Sequence, residues 1–146
     1  MLAELSATAL LLSGIGAEAP VSANANGIPA YVNGYAKWPR LNRVPIRAGS
    51  SAHQGTKNVY ASKRKTGARY PVGTIIVKAG RPPGKQWLSL IAAMRKVSGT
   101  TNGGWRWEEF TRSSSTARFT KVGFPESGCA ACHSQAKSND FVFTRR

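Results

Sequence analysis

Alternating apolar and polar positions recur along the chain and predict several short β-strands. The segment GTIIVK (73–78) is rich in β-branched residues and follows the turn-forming YPVG. GWRWEEF (104–110) alternates after the turn-forming TNGG, and NVYAS (58–62) shows the same period of two. KQWLSLIAAMRKV (85–97) fits both strand alternation and a helical stripe, so periodicity leaves its structure open.

Helical signals are short. In GYAKWPRLNRVPIR (34–47) we expect a helix that ends before Pro39, followed by an extended segment shaped by Pro45. A loop is predicted over 111–128. Turn signals are too frequent for the long amphipathic helices of a four-helix cytochrome. The pattern therefore predicts an α+β fold, mainly an antiparallel β-sheet with short helices.

The first 25 residues differ from the rest and predict a signal-peptide-like or N-terminal anchor segment, followed by one domain over 26–146. LSATALLLSGIGA has about the length of a signal-peptide core and is too short to span a bilayer. AEA (17–19) and ANA (23–25) offer small-residue cleavage patterns. MLAEL lacks the usual basic residues, so a buried N-terminal helix stays open as an alternative. The export signal predicts a periplasmic location, or membrane association through this segment.

Charge narrows the choice of partners. The chain carries 21 Lys and Arg against 6 Asp and Glu, for a formal net charge of +15. This excess predicts attraction to an acidic partner protein or an anionic membrane face. The basic residues are scattered and form no motif of a nucleic-acid reader, which argues against nucleic acid as the partner.

The chain has two cysteines, Cys129 and Cys132, which lie in CAACH with His133 directly behind them. A Cys-x-x-Cys disulfide closes a very short loop and adds little loop-entropy stabilisation. A thioredoxin-like redox pair belongs near a βαβ unit. A zinc site needs four ligands, usually two such cysteine pairs or added histidines, whereas His53 is the single histidine outside this motif. The contiguous C-x-x-C-H pattern instead predicts one covalently attached haem c, with His133 as the proximal iron ligand.

Five segments, taken in order, resemble the landmarks of the cytochrome P-460 family and its relative cytochrome c′-beta: RYPVGTIIVK, AAMRK, GGWRWEEF, CAACH and NDFVFT. The resemblance runs from about Tyr35 to Thr144. It implies a mainly antiparallel β fold, commonly a homodimer, with one c-type haem packed on one face and open on its distal side. Members oxidise hydroxylamine or handle nitric oxide in the periplasm, so the resemblance implies a small nitrogen-oxide ligand.

Lys78 matches the family lysine that is cross-linked to a haem meso carbon in cytochrome P-460 proper. Strand alternation places Ile76 and Lys78 on one face, which the resemblance sets against the porphyrin. Burial there lowers the pKa of a lysine and frees its amine as a nucleophile. Cytochrome c′-beta members lack the cross-link, so a lysine that extends to solvent from the strand end remains the alternative.

The distal side departs from the hydroxylamine-oxidising pattern. Those members carry a carboxylate a few residues before the methionine of the M-x-K landmark, here Met94, and Ala92 stands where the acid is expected. Glu108 and Glu109 lie on a neighbouring predicted strand, where only one can face the pocket and neither matches the family position. An alanine leaves the proton acceptor unassigned, predicts weak hydroxylamine oxidation and favours a neutral ligand such as nitric oxide.

Two functions therefore go forward. The first is a mono-haem cytochrome of the P-460 type that binds or oxidises small nitrogen oxides at an open iron. The second is an electron-transfer or accessory haem subunit that docks to an acidic partner through its positive charge. His53 bears on the choice, because as a second axial ligand it would make a six-coordinate electron carrier, whereas as an ordinary loop residue it has no such role.

Overall fold

The computed structural model describes residues 26–47, 53 and 55–144, so the predicted export segment over 1–25 lies outside the described residues. Five strands and one α-helix follow in chain order: β1 (Thr56–Ala61), β2 (Ile75–Arg81), β3 (Leu90–Lys96), β4 (Trp105–Thr111), β5 (Thr120–Lys121) and α1 (Glu126–His133). Short 3₁₀ helices are Ala30–Val32, Tyr35–Lys37, Thr101–Gly104 and Ser134–Asn139. No helix among the described residues has both the length and the apolar character needed to cross a membrane.

The five strands pair in the order β1-β2-β3-β4-β5, and every neighbouring pair is antiparallel. This meander confirms the predicted fold class. The ambiguous segment 85–97 contains strand β3, with Leu90, Ile91, Ala93 and Met94 all buried. A strand that is covered on both faces has apolar residues at odd and even positions, and for this reason its sequence resembles a helical stripe. Within the predicted loop 111–128 lie the short strand β5 and the start of α1.

Each face of the sheet is covered by a different part of the chain. Because side chains alternate along a strand, β2 directs Ile76 to one face and Val77 to the other. The first face packs against α1 and the C-terminal segment, in a buried cluster of Leu41, Val59, Ala61, Tyr70, Ile76, Met94, Trp105, Trp107, Ala130 and Val142. The opposite face packs against the segment around Val32, in a cluster of Val32, Val77, Ala79, Ile91, Ala93, Phe110 and Phe119. The sheet is therefore buried on both sides, and we call the first side the α1 face.

The short helix α1 is held in place at its start. Pro125 precedes it in an extended conformation, and Glu126 occupies the first turn, where a negative side chain interacts favourably with the helix dipole. The guanidinium of Arg106 on β4 donates to the Glu126 carboxylate at 2.9 Å. This ion pair joins the beginning of α1 to the sheet.

Candidate functional site

The two cysteines lie one helical turn apart on α1, so both thiols project from the same side of the helix. Both are free thiols; Cys129 is partly buried and packs on the α1-face cluster, whereas Cys132 is exposed. Burial, with the negative charge of Glu109 as a second cause, raises the pKa of the Cys129 thiol. The helix thus presents two reduced sulfur atoms on one side, as attachment to a single flat cofactor requires.

His133 ends α1 in an aromatic setting. Its ring lies between Trp107, with ring centroids 4.5 Å apart, and Phe143, at 4.9 Å. Its Nδ1 is 2.7 Å from the carbonyl oxygen of Phe141. A carbonyl only accepts hydrogen bonds, so Nδ1 carries the proton and Nε2 keeps its lone pair. Burial lowers the pKa of His133 to about 4, so the ring is neutral near pH 7, which is the form that binds a metal.

Strand register places the predicted pocket residues in two rows on the α1 face. Lys78 pairs with Val59 on one side and Ala92 on the other, and Ala92 pairs in turn with Glu109. The neighbouring row is Ala61, Ile76, Met94 and Trp107. All four pocket residues singled out from the sequence on β2 and β3, namely Ile76, Lys78, Ala92 and Met94, therefore lie on the face that α1 covers.

The environment of Lys78 favours a neutral amine. Burial lowers the pKa of this lysine below its usual value, and the positive charge of Lys57 lowers it further. Glu109 and Cys132 act in the opposite direction. Strand register places Lys78 in the same row as Glu109, with Ala92 between them.

The two glutamates of β4 face opposite sides of the sheet. Glu108 accepts hydrogen bonds from the Tyr31 hydroxyl and, at 2.8 Å, from Lys121 Nζ, on the side away from α1. Glu109 lies on the α1 face, where its Oε2 is 3.1 Å from Nδ1 of His53. The side chains of Glu109 and His53 are 26% and 20% exposed, while the His53 Nδ1 atom itself is buried.

The structure therefore decides which glutamate faces the pocket, a choice that the sequence left open. The sequence argument named Glu109 but did not place it beside Ala92, because the two residues are far apart along the chain. In the sheet they are cross-strand partners. Strand register alone could have revealed the pairing. His53 also lies close enough to His133 to lower the pKa of that ring. Its predicted role as an iron ligand stays a prediction.

The residues present fit a c-type haem. Two free thiols on one side of a helix, followed by a neutral imidazole with a free Nε2, form the donor set for this cofactor. The indole Nε1–H of Trp107, beside His133, is buried and has no hydrogen-bond partner among the described residues. A buried donor of this kind normally has a partner, and a polar group of a bound cofactor would supply one.

A neutral histidine behind two free thiols, packed on one face of an antiparallel meander, is the arrangement expected of a small β-sheet protein that attaches a c-type haem. The comparisons are consistent with this class. The sequence profile of the cytochrome P-460 family matches residues 32–144, so the chain belongs to the cytochrome P-460 family. Membership implies haem, and the family includes enzymes that oxidise hydroxylamine. No curated protein matches the chain significantly.

Proposed function

We propose that the protein is an exported mono-haem c-type cytochrome that binds or oxidises small nitrogen oxides such as hydroxylamine and nitric oxide. The observation that carries the proposal is the row of Lys78, Ala92 and Glu109 on the sheet face that α1 covers. This row brings an amine of lowered pKa and a carboxylate to the same face as the cysteine motif. An electron carrier needs neither group in that position.

Different residues have different roles at the proposed haem site. Cys129 and Cys132 would hold the haem through thioether bonds, and His133 would bind the iron through Nε2. When bound there, the haem would supply redox chemistry to the site. Ile76, Met94 and Trp107 provide an apolar wall, so charged solutes are disfavoured in the pocket while small neutral molecules can enter.

Glu109 supplies the proton acceptor that Ala92 does not. Hydroxylamine loses its N–H and O–H protons as it loses electrons, so oxidation needs a base near the substrate. Glu109 is the cross-strand neighbour of Ala92, and its carboxylate accepts the proton and passes it to His53 at 3.1 Å. The partly exposed His53 returns the proton to water. Weak hydroxylamine oxidation, expected from Ala92 alone, stays a prediction, but its premise changes because the register brings a carboxylate beside this position.

An acidic redox protein is the proposed electron acceptor, because exposed basic side chains lie on the segment after the motif and on a loop bound to that segment. Lys63, Arg64 and Arg69 are exposed on the loop between β1 and β2. This loop is attached to the segment after α1, since the Tyr70 N–H donates to Asp140 Oδ2 at 2.8 Å. Lys137 is exposed on that same segment. These positive charges therefore lie on and beside the segment that follows the motif. The same charge supports the second candidate function, an accessory electron-transfer subunit.

Optical titration of the haem-loaded protein tests the proposal against this alternative. We expect nitric oxide and hydroxylamine to change the ferric spectrum, and hydroxylamine to be oxidised when an artificial electron acceptor is present. A low-spin spectrum that neither ligand changes would contradict the proposal and support the electron-transfer subunit. Imidazole, which binds an open ferric site without being oxidised, serves as a control for access to the iron.

Lys78 is expected to be joined to the porphyrin. Its amine is made more neutral by burial and lies on the face that carries the motif, so it is a nucleophile at the right place. Joining its nitrogen to a porphyrin carbon removes two hydrogen atoms, which an oxidant such as hydrogen peroxide accepts. Mass spectrometry should then show one tryptic fragment that contains both the Cys129–His133 peptide and the Lys78 peptide.

Lys57 is the matched control for this experiment. It lies on the same sheet face, and burial also lowers its pKa, but it is paired with Gly80 in a different row. We expect Lys57 to form no bond to the porphyrin. We expect Lys78→Arg to abolish the cross-linked fragment and to shift the ferrous absorption to shorter wavelength. A Lys78 that trypsin cleaves freely would place the protein functionally with the uncross-linked cytochromes c′-beta.

A further inference from the structure

A buried ion pair lies beneath the C-terminal segment, apart from the pocket residues described above. Lys96 Nζ on β3 is 2.7 Å from Asp140 Oδ1, and the two side chains are only 9% and 4% exposed. Every strong acceptor of Asp140 has a donor, since Oδ2 accepts the Tyr70 N–H at 2.8 Å and the backbone carbonyl accepts Trp105 Nε1–H at 3.0 Å. Removing two charges from water is costly, so a buried pair by itself is weak evidence for a gain in stability.

The backbone next to this pair is strained. Asp140 and Phe141 are consecutive residues with φ of 56° and 66°, in the left-handed region that side chains other than glycine rarely adopt. The Phe141 ring finds room only because Gly103 lacks a side chain, as a Cβ there would lie 2.5 Å from the ring. Strain of this kind persists where surrounding contacts hold it, and it concentrates at functional sites.

The consequence of the strained turn is the direction of one carbonyl group. The turn reverses the chain after the 3₁₀ helix Ser134–Asn139, and the Phe141 N–H donates to the Ala136 carbonyl at 2.9 Å. The Phe141 carbonyl then points back at the imidazole of His133 and accepts from Nδ1 at 2.7 Å. A bond from the second nitrogen of a ligating histidine fixes its tautomer and ring plane and increases its basicity as a ligand.

We propose that the Lys96–Asp140 ion pair is a positioning device for the axial histidine. It holds Asp140 in its left-handed conformation and thereby sets the hydrogen bond from His133 Nδ1 to the Phe141 carbonyl. Lys96 and Asp140 are positioning residues, since they act on the ligand only through this bond. The proposal rests on the proposed haem site with His133 as its axial ligand.

Two variants test the positioning role. Asp140→Asn keeps an acceptor for the Tyr70 N–H but breaks the ion pair, which leaves Lys96 buried without its counter-charge. The double variant Lys96→Met/Asp140→Asn removes both charges, and such replacements of buried pairs often preserve stability. In both variants we expect the ferrous iron–histidine stretching band in resonance Raman spectra to shift to lower frequency, and the midpoint potential to rise, because a weaker Nδ1–H bond makes the imidazole less basic.

The matched control is Arg106→Met/Glu126→Gln. This pair, at 2.9 Å, also joins the sheet to the segment that bears His133, but it lies at the start of α1, at the opposite end of the helix from His133. We expect no shift of the band or the potential in the control. A folded, haem-loaded Lys96→Met/Asp140→Asn protein with the wild-type band and potential would overturn the proposal, because a purely structural pair predicts that result.

Two measurements on the wild-type protein keep the proposal testable even when neither Asp140 variant folds. The wild-type ferrous band should lie at the frequency of an imidazole whose Nδ1–H is hydrogen-bonded, and a frequency typical of a histidine without that bond overturns the positioning role. Covalent haem content is measured first. Absence of covalent haem overturns the haem site itself. Covalent haem whose iron–histidine band lies at the frequency of a histidine without the Nδ1–H bond overturns only the positioning role of the ion pair.

Discussion

Replacing Cys129 and Cys132 together with serine is expected to abolish covalent attachment of haem, because a serine hydroxyl forms no thioether. Acid–acetone extraction measures this directly: the colour should stay with the wild-type protein and move into the solvent layer for the variant. Each single substitution should leave one thioether and a shifted pyridine haemochrome band. His133→Ala should remove the axial bond while both thiols remain.

Ala131→Ser is the matched control for the double cysteine variant. It adds a hydroxyl to the same helix at an exposed position between the two cysteines and leaves the motif complete. We expect full retention of haem in this control. Extraction of free haem from the wild-type protein would contradict covalent attachment, and haem retained by the double cysteine variant would show that the thiols are not the points of attachment.

Glu109→Gln is expected to slow hydroxylamine oxidation by about 10²–10⁴-fold, the usual contribution of a positioned general base. Glutamine has nearly the same shape but accepts no proton at neutral pH. Binding of nitric oxide should be unaffected, since it requires no proton transfer. Steady-state rates with hydroxylamine, together with nitric oxide titrations on the same preparations, separate an effect on chemistry from an effect on access to the iron.

Glu108→Gln provides the control for this prediction. It is adjacent on the same strand and makes the same chemical change, but its carboxylate faces Tyr31 and Lys121 on the opposite side of the sheet. We expect its turnover to stay close to that of the wild-type protein. An equal loss in both variants would point to a general effect of the substitutions on β4, and an unchanged rate in Glu109→Gln would show that another group accepts the proton.

The sequence was sufficient for β2 because β-branched residues follow a turn signal there, and for β4 because clear alternation follows one. It was ambiguous for β3, because both faces of that strand are buried and polar residues do not mark either side. The motif residues could be recognised because they are contiguous. Separation along the chain gives no information about which residues pair across two strands. The position of Glu109 beside Ala92 was therefore evident only from the register of β3 with β4.

The support of His133 was also hidden from the sequence. Lys96 and Asp140 are ordinary charged residues in the printed chain, and nothing in their spacing indicates that they meet in the interior. The left-handed conformation of Phe141 is equally unpredictable, since side chains of this size rarely adopt it. The acceptor for Nδ1 is a backbone carbonyl, which every residue possesses, so residue identity carries no information about it.

The connectivity of the sheet bears on the order in which the protein is assembled. Each strand pairs with its neighbour along the chain, so the hairpins close short loops and can form early. The helix that carries Cys129, Cys132 and His133 comes after the last strand and is synthesised after all of them. We therefore expect the ligating helix to meet a sheet that is already paired, which makes joining the cofactor to the chain a late step of biogenesis.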